Sequence, residues 1–93
     1  MSNYDRIMEV LEENFLGASI DNVTDDEIIS TLQENGLACT LRGSKYYTSL
    51  DEYEIDIKEA GVYINFVFEN DECIDIYWSA TYIIYLYIKT IEV

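Results

Sequence analysis

Carboxylates dominate the chemically active side chains of this chain, which has 19 Asp and Glu against 5 Lys and Arg, and no His. Nucleophilic and acid–base catalysis draw mostly on His, Cys, Ser, Lys and carboxylates held in a cleft. The chain has no G-x-S-x-G motif and no glycine-rich phosphate loop. Carboxylates alone suit a glycosidase or a two-metal nuclease, but the chain is small for a sugar cleft and too acidic to hold a polyanion. We therefore expect no enzymatic activity and no cofactor.

Two acidic clusters, Asp25-Asp26-Glu27 and Glu69-Asn70-Asp71-Glu72, have residue types that bind calcium. Neither has the alternating oxygen ligands, central glycine and twelfth-position Glu of an EF-hand loop. The first cluster suits the first turn of a helix, where acids complement the helix dipole, and the second is typical of a hairpin turn. Cys39 and Cys73 form no C-x-x-C pair, and there is no histidine to complete a zinc site. No metal site is expected.

The distribution of the acids is more informative than either cluster. Asp5, Glu9, Glu12 and Glu13 recur at helical spacing opposite an apolar stripe, with Arg6 as the only base nearby. Like charges at i,i+4 destabilise a helix by about 0.2–0.5 kcal/mol per pair. Selection for stability alone would place lysines among these acids. The pattern therefore indicates a surface that meets a positively charged partner.

Further acids and several tyrosines are expected on the outer face of a sheet and in a hairpin. Glu54 and Asp56 alternate with apolar residues, so strand geometry predicts them about 7 Å apart on the face that points away from the core. The predicted partner-binding residues are Asp5, Glu9, Glu12, Glu13, Glu54, Asp56, Glu69, Asp71, Glu72, Asp75, Tyr63, Tyr77 and Tyr85.

Two helices are predicted in the first third of the chain. Ser2 is a candidate N-cap for an apolar stripe that runs from Tyr4 to Phe15 and ends at Gly17. Thr24 and Glu27 form a capping box at the start of the second helix, and a glycine after Asn35 supplies its stop.

After the second helix the apolar period changes to alternation, and β-branched and aromatic residues dominate. The last strand is expected to turn Ile84, Leu86 and Ile88 inward. The predicted strands are Leu37–Leu41, Tyr46–Leu50 after a turn at Arg42-Gly43-Ser44, Tyr53–Lys58, Val62–Phe68, Ile74–Trp78 and Tyr82–Ile91.

Consecutive strands joined by short turns form an antiparallel meander whose apolar face needs a cover. The expected fold is therefore α+β, with two N-terminal helices packed on one face of a four- to five-stranded antiparallel meander sheet. Residues 1–93 form one acidic domain, because the length supports a single core and 49% apolar content supports folding despite a net charge of −14.

Neither the first residues nor the most apolar segment of the sequence predicts an association with a membrane. The first residues lack the basic and apolar pattern of a signal peptide, and Tyr82–Ile88 is too short to span a bilayer. We expect a cytoplasmic location.

The magnitude of the charge favours an electrostatic function. A chain of this length has a radius of gyration of about 12 Å and is about 30 Å across. Duplex DNA of that length carries roughly 18 negative charges, and this chain has 19 carboxylates.

In length, acidity, tyrosine content and order of helices and strands, the whole chain resembles the small DNA-mimic inhibitors of phages, which include anti-restriction nuclease (Arn-like) and anti-CRISPR proteins. No motif carries this resemblance, and no residue role is transferred from it. It implies a monomer or homodimer, in the cytoplasm of the host cell, whose carboxylates replace phosphates in the DNA site of a restriction enzyme, a CRISPR nuclease or another basic nucleic-acid-binding protein. Such an inhibitor binds no nucleic acid itself.

Two alternatives remain open from the residues. An immunity protein that blocks a toxin nuclease would concentrate its binding energy in one patch, around an aromatic such as Tyr63, Tyr77 or Tyr85. A structural or regulatory interaction module would use its acidity only for solubility.

Overall fold

The computed structural model describes the backbone of residues 3–92 and the side chains of residues 3–89. The predicted cap at Ser2 lies outside these residues. The elements are α1 (Asn3–Phe15), a 3-10 turn (Ile20–Asn22), α2 (Asp25–Glu34), β1 (Leu41–Tyr47), β2 (Glu52–Ile57), β3 (Tyr63–Glu69), β4 (Glu72–Ser79) and α3 (Ile83–Glu92). The strands form one antiparallel sheet in the order β1-β2-β3-β4. The predicted α+β fold, with two N-terminal helices ahead of an antiparallel meander, is confirmed.

The two N-terminal helices begin and end where their sequence signals lie. The hydroxyl of Thr24 accepts a hydrogen bond from the backbone N–H of Glu27 at 3.3 Å, which satisfies one of the free N–H groups at the start of α2. Gly17 and Gly36 have φ of 85° and 80°, a region that glycine enters without steric cost. These glycines end α1 and α2.

The core lies between these two helices and one face of the sheet. The register between β2 and β3 places Tyr53, Ile55, Ile64 and Phe66 on the same face. The buried cluster consists of Ile7, Met8, Val10, Leu11, Phe15, Val23, Ile28, Leu32, Ile55, Ile57, Ala60, Ile64, Phe66, Phe68, Cys73 and Ile76. We call the opposite face of the sheet the outer face.

The turn between β3 and β4 also follows its sequence. Asn70 and Asp71 have φ of 52° and 62°, as the two central residues of a type I′ turn require. One irregularity follows, because Phe68 pairs with Cys73 while Val67 pairs with Asp75. The extra residue, Ile74, is consequently 50% exposed, although it begins the apolar alternation of the predicted strand Ile74–Trp78.

The first strand differs from the prediction. The turn predicted at Arg42-Gly43-Ser44 is absent from the described structure, and one strand, β1, passes through these residues to Tyr47. Tyr46 pairs with Tyr53, and a register shift next to Gly43 accommodates the glycine within the strand. The predicted strands Leu37–Leu41 and Tyr46–Leu50 are therefore replaced by one strand that ends in a turn.

The prediction of a final strand at Tyr82–Ile91 is wrong, because this segment forms α3. Ile83 is 3% exposed, whereas Ile88, predicted to point inward, is 47% exposed. β-Branched and aromatic residues favour strands only weakly against tertiary context, and this segment has no alternation of apolar and polar residues that would fix a strand. Within the described chain, no helix is long and apolar enough to cross a membrane.

Candidate partner-binding surface

α1 lies along β4, which is an edge strand of the sheet. The rings of Tyr4 and Trp78 meet edge to face at 6.3 Å near the start of α1. Past its end, the N–H of Gly17 donates to the carbonyl of Cys73 at 2.8 Å, and the N–H of Cys73 donates to the carbonyl of Ala18 at 2.9 Å. The helix therefore runs antiparallel to β4 and ends beside the β3–β4 turn.

The β3–β4 turn is attached to the segment that follows α1. The N–H of Ile20 donates to the carbonyl of Asp71 at 2.8 Å, and Ser19 forms a β-bridge with Glu72. The predicted acids of the first helix and of the hairpin therefore lie along one side of the molecule. We call this surface the acidic edge; it consists of Asp5, Glu9, Glu12, Glu13, Glu69, Asp71 and Glu72.

A groove of about 630 Å³ separates α1 from β4 on the acidic edge. Its lining combines apolar and aromatic side chains with carboxylates, namely Tyr4, Asp5, Met8, Glu9, Glu12, Glu13, Ile76, Tyr77 and Trp78. Trp78 is 52% exposed. A half-exposed indole next to several carboxylates offers both a π face and negative charge to a cationic side chain.

The spacing of the α1 carboxylates is close to that of phosphates in one DNA strand. Asp5 and Glu13 are separated by about 12 Å along the helix axis, since each residue rises about 1.5 Å. Four carboxylates in this length have a mean axial spacing of about 4 Å, and one DNA strand places a phosphate about every 3.4 Å. Arg6 makes an ion pair with Glu9 at 2.8 Å, and no other basic residue lies on α1.

The whole molecule does not reach the charge density of DNA. Its longest axis measures 41 Å, which exceeds the diameter expected from the sequence. Duplex DNA of that length carries about 24 charges, more than the 19 carboxylates of the chain. The DNA-like density is thus a property of α1 and not of the complete surface.

The two predicted acids of β2 lie away from the acidic edge. Glu54 is only 7% exposed, which corrects its expected exposure on the surface. One of its carboxylate oxygens accepts a hydrogen bond from the N–H of Ile83 at 2.6 Å, and the other accepts one from the Tyr47 hydroxyl at 3.3 Å. Asp56 accepts a hydrogen bond from Arg42 at 3.0 Å. Neither carboxylate forms one surface with those of α1.

The outer face of the sheet carries Tyr63, Tyr77 and Asp75, as the sequence predicted. The hydroxyl of Tyr77 donates to Glu52 at 3.2 Å. Burial, together with the negative charge of Glu52, raises the pKa of Tyr77. Burial likewise raises the pKa of Glu52, against the opposing effect of the hydrogen bond from Tyr77. Tyr77 and Glu52 form a partly buried hydrogen-bonded pair beneath α3.

The third predicted aromatic, Tyr85, lies on α3 and is 42% exposed. The sequence placed it on a strand of the outer face, whereas the structure places it on a helix that covers that face.

Basic residues lie mainly on the opposite edge of the sheet. Arg42 and Lys45 belong to β1, and the N–H of Lys58 donates to Thr40 just before β1. Three strand spacings, about 14 Å, separate β1 from β4. α2 carries four acids of its own, Asp25, Asp26, Glu27 and Glu34, and no base. The acidic edge lies on the opposite side of the sheet from Arg42 and Lys45.

Trp78 was not among the predicted partner-binding residues. Trp78 and Ile76 lie on the same side of β4, facing the core, but α1 covers Ile76 and leaves Trp78 half-exposed. Its place at the end of an apolar alternation, directly before Ser79-Ala80-Thr81, is the one sequence signal for an uncovered position.

Comparison with known proteins gives no matching family model, no matching curated protein and no matching solved structure.

Proposed function

We propose that this protein is a DNA-mimic inhibitor that occupies the nucleic-acid-binding site of a basic protein, such as a restriction or CRISPR nuclease, in the cytoplasm of a host cell. The observation that carries the proposal is the row of carboxylates on α1, which has nearly the axial spacing of phosphates in one DNA strand. The protein itself has no catalytic activity and binds no nucleic acid.

The charge arrangement supports a partner with a positive surface. A basic groove that binds DNA would attract the acidic edge more strongly than it attracts the surfaces of this molecule that carry Lys or Arg. The acids of the β3–β4 hairpin extend the charged row beyond the end of α1. The contact surface we propose is therefore α1 together with the hairpin, and it excludes Glu54.

A second candidate function is favoured by Trp78. Tryptophan is enriched among residues that dominate binding energy, and this one is half-exposed in a groove surrounded by carboxylates. An immunity protein that blocks a toxin nuclease would use such an aromatic as a central contact. Its acids would serve mainly to increase the association rate.

The decisive measurement is competition with duplex DNA. We would test whether this protein binds partners captured from host lysate and a panel of purified restriction and CRISPR nucleases. For each partner, excess duplex DNA is then added to see whether it displaces this protein. The triple variant Glu9→Gln, Glu12→Gln, Glu13→Gln keeps the shape of α1 and removes its charge. We expect it to weaken binding by about 10- to 100-fold, with graded losses in the single variants, and we expect affinity to fall steeply with salt.

A matched control removes the same charge elsewhere. The variant Asp26→Asn, Glu27→Gln, Glu34→Gln neutralises three exposed carboxylates of α2 and should leave affinity within about threefold, since only long-range attraction is reduced. Equal losses in both triple variants would mean that net charge alone drives binding. Partners that duplex DNA never displaces would refute mimicry.

Trp78→Ser separates the two candidate functions. For a DNA mimic its effect is comparable to that of one carboxylate. For an immunity-type contact it costs more than about 2 kcal/mol while most amide substitutions are silent.

A further inference from the structure

Residues 83–88 of α3 are apolar or aromatic on every side of the helix, although only one side is covered. Its sequence, Ile-Ile-Tyr-Leu-Tyr-Ile-Lys-Thr-Ile-Glu, has one base and one acid, both in its second half. A helix that is apolar around its whole circumference is normally buried on all sides. In this molecule the sheet lies against one side, and the other side faces solvent.

The covered side is defined by Ile83 and Leu86. Ile83 is 3% exposed, and together with Leu86 it borders a cavity of about 230 Å³ over Leu50, Glu52 and Tyr77. The hydrogen bond from the N–H of Ile83 to Glu54 fixes the start of the helix on the outer face. This side of α3 is therefore attached to its own chain.

The uncovered side carries large aromatic and aliphatic groups. Tyr82, Tyr85 and Ile88 are 45%, 42% and 47% exposed. The rings of Tyr82 and Tyr85 meet at 5.9 Å, and the ammonium of Lys89 lies 5.8 Å from the centre of the Tyr85 ring. Tyr82, directly before α3, and Tyr85 and Ile88 on its first two turns thus form one apolar strip.

The distribution of acids along the sequence indicates which partner covers this strip. In a chain with 19 acids, residues 76–91 contain none and have Lys89 as their single charge, and the one acid of α3, Glu92, is its last residue. A basic partner gains nothing electrostatically from an acid-free strip and is drawn to the acidic edge instead. Two copies of this chain, by contrast, repel each other everywhere except where both lack carboxylates.

We propose that α3 pairs with α3 of a second copy of this chain, through Tyr82, Tyr85 and Ile88. A two-fold arrangement brings the same strip of each copy together, so that one surface serves both sides of the interface. The acidic edges of both copies remain uncovered. The proposal does not depend on the proposed function, because it uses a different surface and a different force.

The size of the strip sets the strength of the pairing. Aromatic side chains bury about 150–250 Å² each, so the three groups, each a little under half exposed, contribute on the order of 200–300 Å² per copy. Stable interfaces bury about 800 Å² per partner. The pair is therefore a weak, reversible and concentration-dependent dimer, and not an obligate one.

Salt changes dimerisation and partner binding in opposite directions. Screening reduces the repulsion between two copies that each carry a net charge of −14, so added salt strengthens the dimer. The same screening weakens attraction between the acidic edge and a basic partner. A variant that misfolds should lose both dimerisation and partner binding, whereas a variant that affects one surface should lose only one of them.

Sedimentation equilibrium of the purified chain, from about 1 to 300 μM at about 50 and 300 mM NaCl, tests the proposal. We expect a monomer–dimer equilibrium that tightens severalfold at the higher salt. The variant Tyr85→Ser, Ile88→Ser should weaken dimerisation at least tenfold. The matched control Leu16→Ser, Ile74→Ser removes two exposed apolar groups elsewhere and should leave the dimer unchanged.

Circular dichroism and the melting temperature establish that both variants are folded. A monomer at every concentration and salt would overturn the proposal. So would a dimer that survives the α3 substitutions, or one that only the control substitutions dissociate.

Discussion

Tyrosine hydroxyls supply hydrogen bonds to carboxylates that lysine and arginine supply in most proteins. The chain has nine Tyr and only five basic residues. Tyr46 donates to Asp51, Tyr47 donates to Glu54, and the Tyr77 hydroxyl also binds a carboxylate. A hydroxyl satisfies a carboxylate oxygen without reducing the net charge of the molecule. An acidic surface can thus be kept while its less exposed carboxylates are hydrogen-bonded.

These tyrosines predict a loss of stability in alkali. The hydrogen bond to Asp51 raises the pKa of Tyr46 to about 12, and burial, together with Glu54, raises the pKa of Tyr47 to about 12. In the unfolded chain both hydroxyls lose their protons near pH 10. Unfolding therefore releases protons between about pH 10 and 12, and the free energy of unfolding falls as pH rises through this range.

Urea unfolding at several pH values between about 9 and 12 measures this slope. Tyr47→Phe removes one of the two hydroxyls and should flatten the slope, although it also lowers stability at neutral pH by removing the bond to Glu54. Tyr85→Phe controls for the loss of a hydroxyl at an exposed position. An unchanged slope in Tyr47→Phe would contradict the assignment.

At the scale of the element, α3 depends on a side chain from another strand. The first N–H groups of a helix have no partner within the helix. Glu54 of β2 supplies one for Ile83, and its negative charge interacts favourably with the positive end of the helix dipole. Two neighbouring side chains are also hydrogen-bonded, since Asn65 Nδ2 donates to Ser79 at 3.0 Å and Ser79 donates to the carbonyl of Thr81 at 2.8 Å. The other side-chain atom of Asn65, Oδ1, is buried and has no partner among the described residues.

Removing this carboxylate should release α3 from the sheet. We expect Glu54→Ala to lower the free energy of unfolding by about 1–3 kcal/mol, because it leaves a buried N–H and the Tyr47 hydroxyl without an acceptor. Glu54→Gln keeps one acceptor oxygen and should cost less. Glu34→Gln, which removes an exposed carboxylate, is the control and should leave stability within about 0.5 kcal/mol.

Hydrogen exchange identifies where stability is lost. Amides of α3 should exchange faster in Glu54→Ala, while those of β2 and β3 should change less. A uniform increase in exchange across the chain would show that Glu54 stabilises the whole domain instead of attaching α3.

At the scale of the whole molecule, charge repulsion opposes folding. Between described residues two ion pairs form, Arg6 with Glu9 and Arg42 with Asp56. With 19 acids and 5 bases, most carboxylates cannot have a basic partner, and the net charge is −14. Compacting the chain brings these charges together and costs free energy that salt reduces.

Added salt should therefore raise the melting temperature. We expect an increase of several degrees between about 20 and 300 mM NaCl, since about 1 kcal/mol corresponds to about 4–8 °C for a domain of this size. Using the Tyr85→Ser, Ile88→Ser variant at low micromolar concentration excludes stabilisation through the dimer. KCl should act like NaCl. A melting temperature that falls in moderate salt would show that attractive ion pairs outweigh the repulsion.

The sequence by itself determined the features that depend on local chemistry. The helix limits at Thr24, Gly17 and Gly36 follow from caps and from φ values that glycine permits. The inward faces of β2 and β3 follow from the alternation of apolar and polar residues. The acidity of α1 also follows directly, because helical spacing places its acids opposite its apolar stripe.

Only the tertiary structure decided the conformation of the last segment and the fate of Glu54. From residue 82 onward the apolar pattern has no period, so local preference gives no choice between strand and helix. The outcome depends on a hydrogen bond between Ile83 and a carboxylate 29 positions earlier in the chain. That same contact removes Glu54 from the surface, because a residue on the outer face of a sheet is exposed only if no other element covers it.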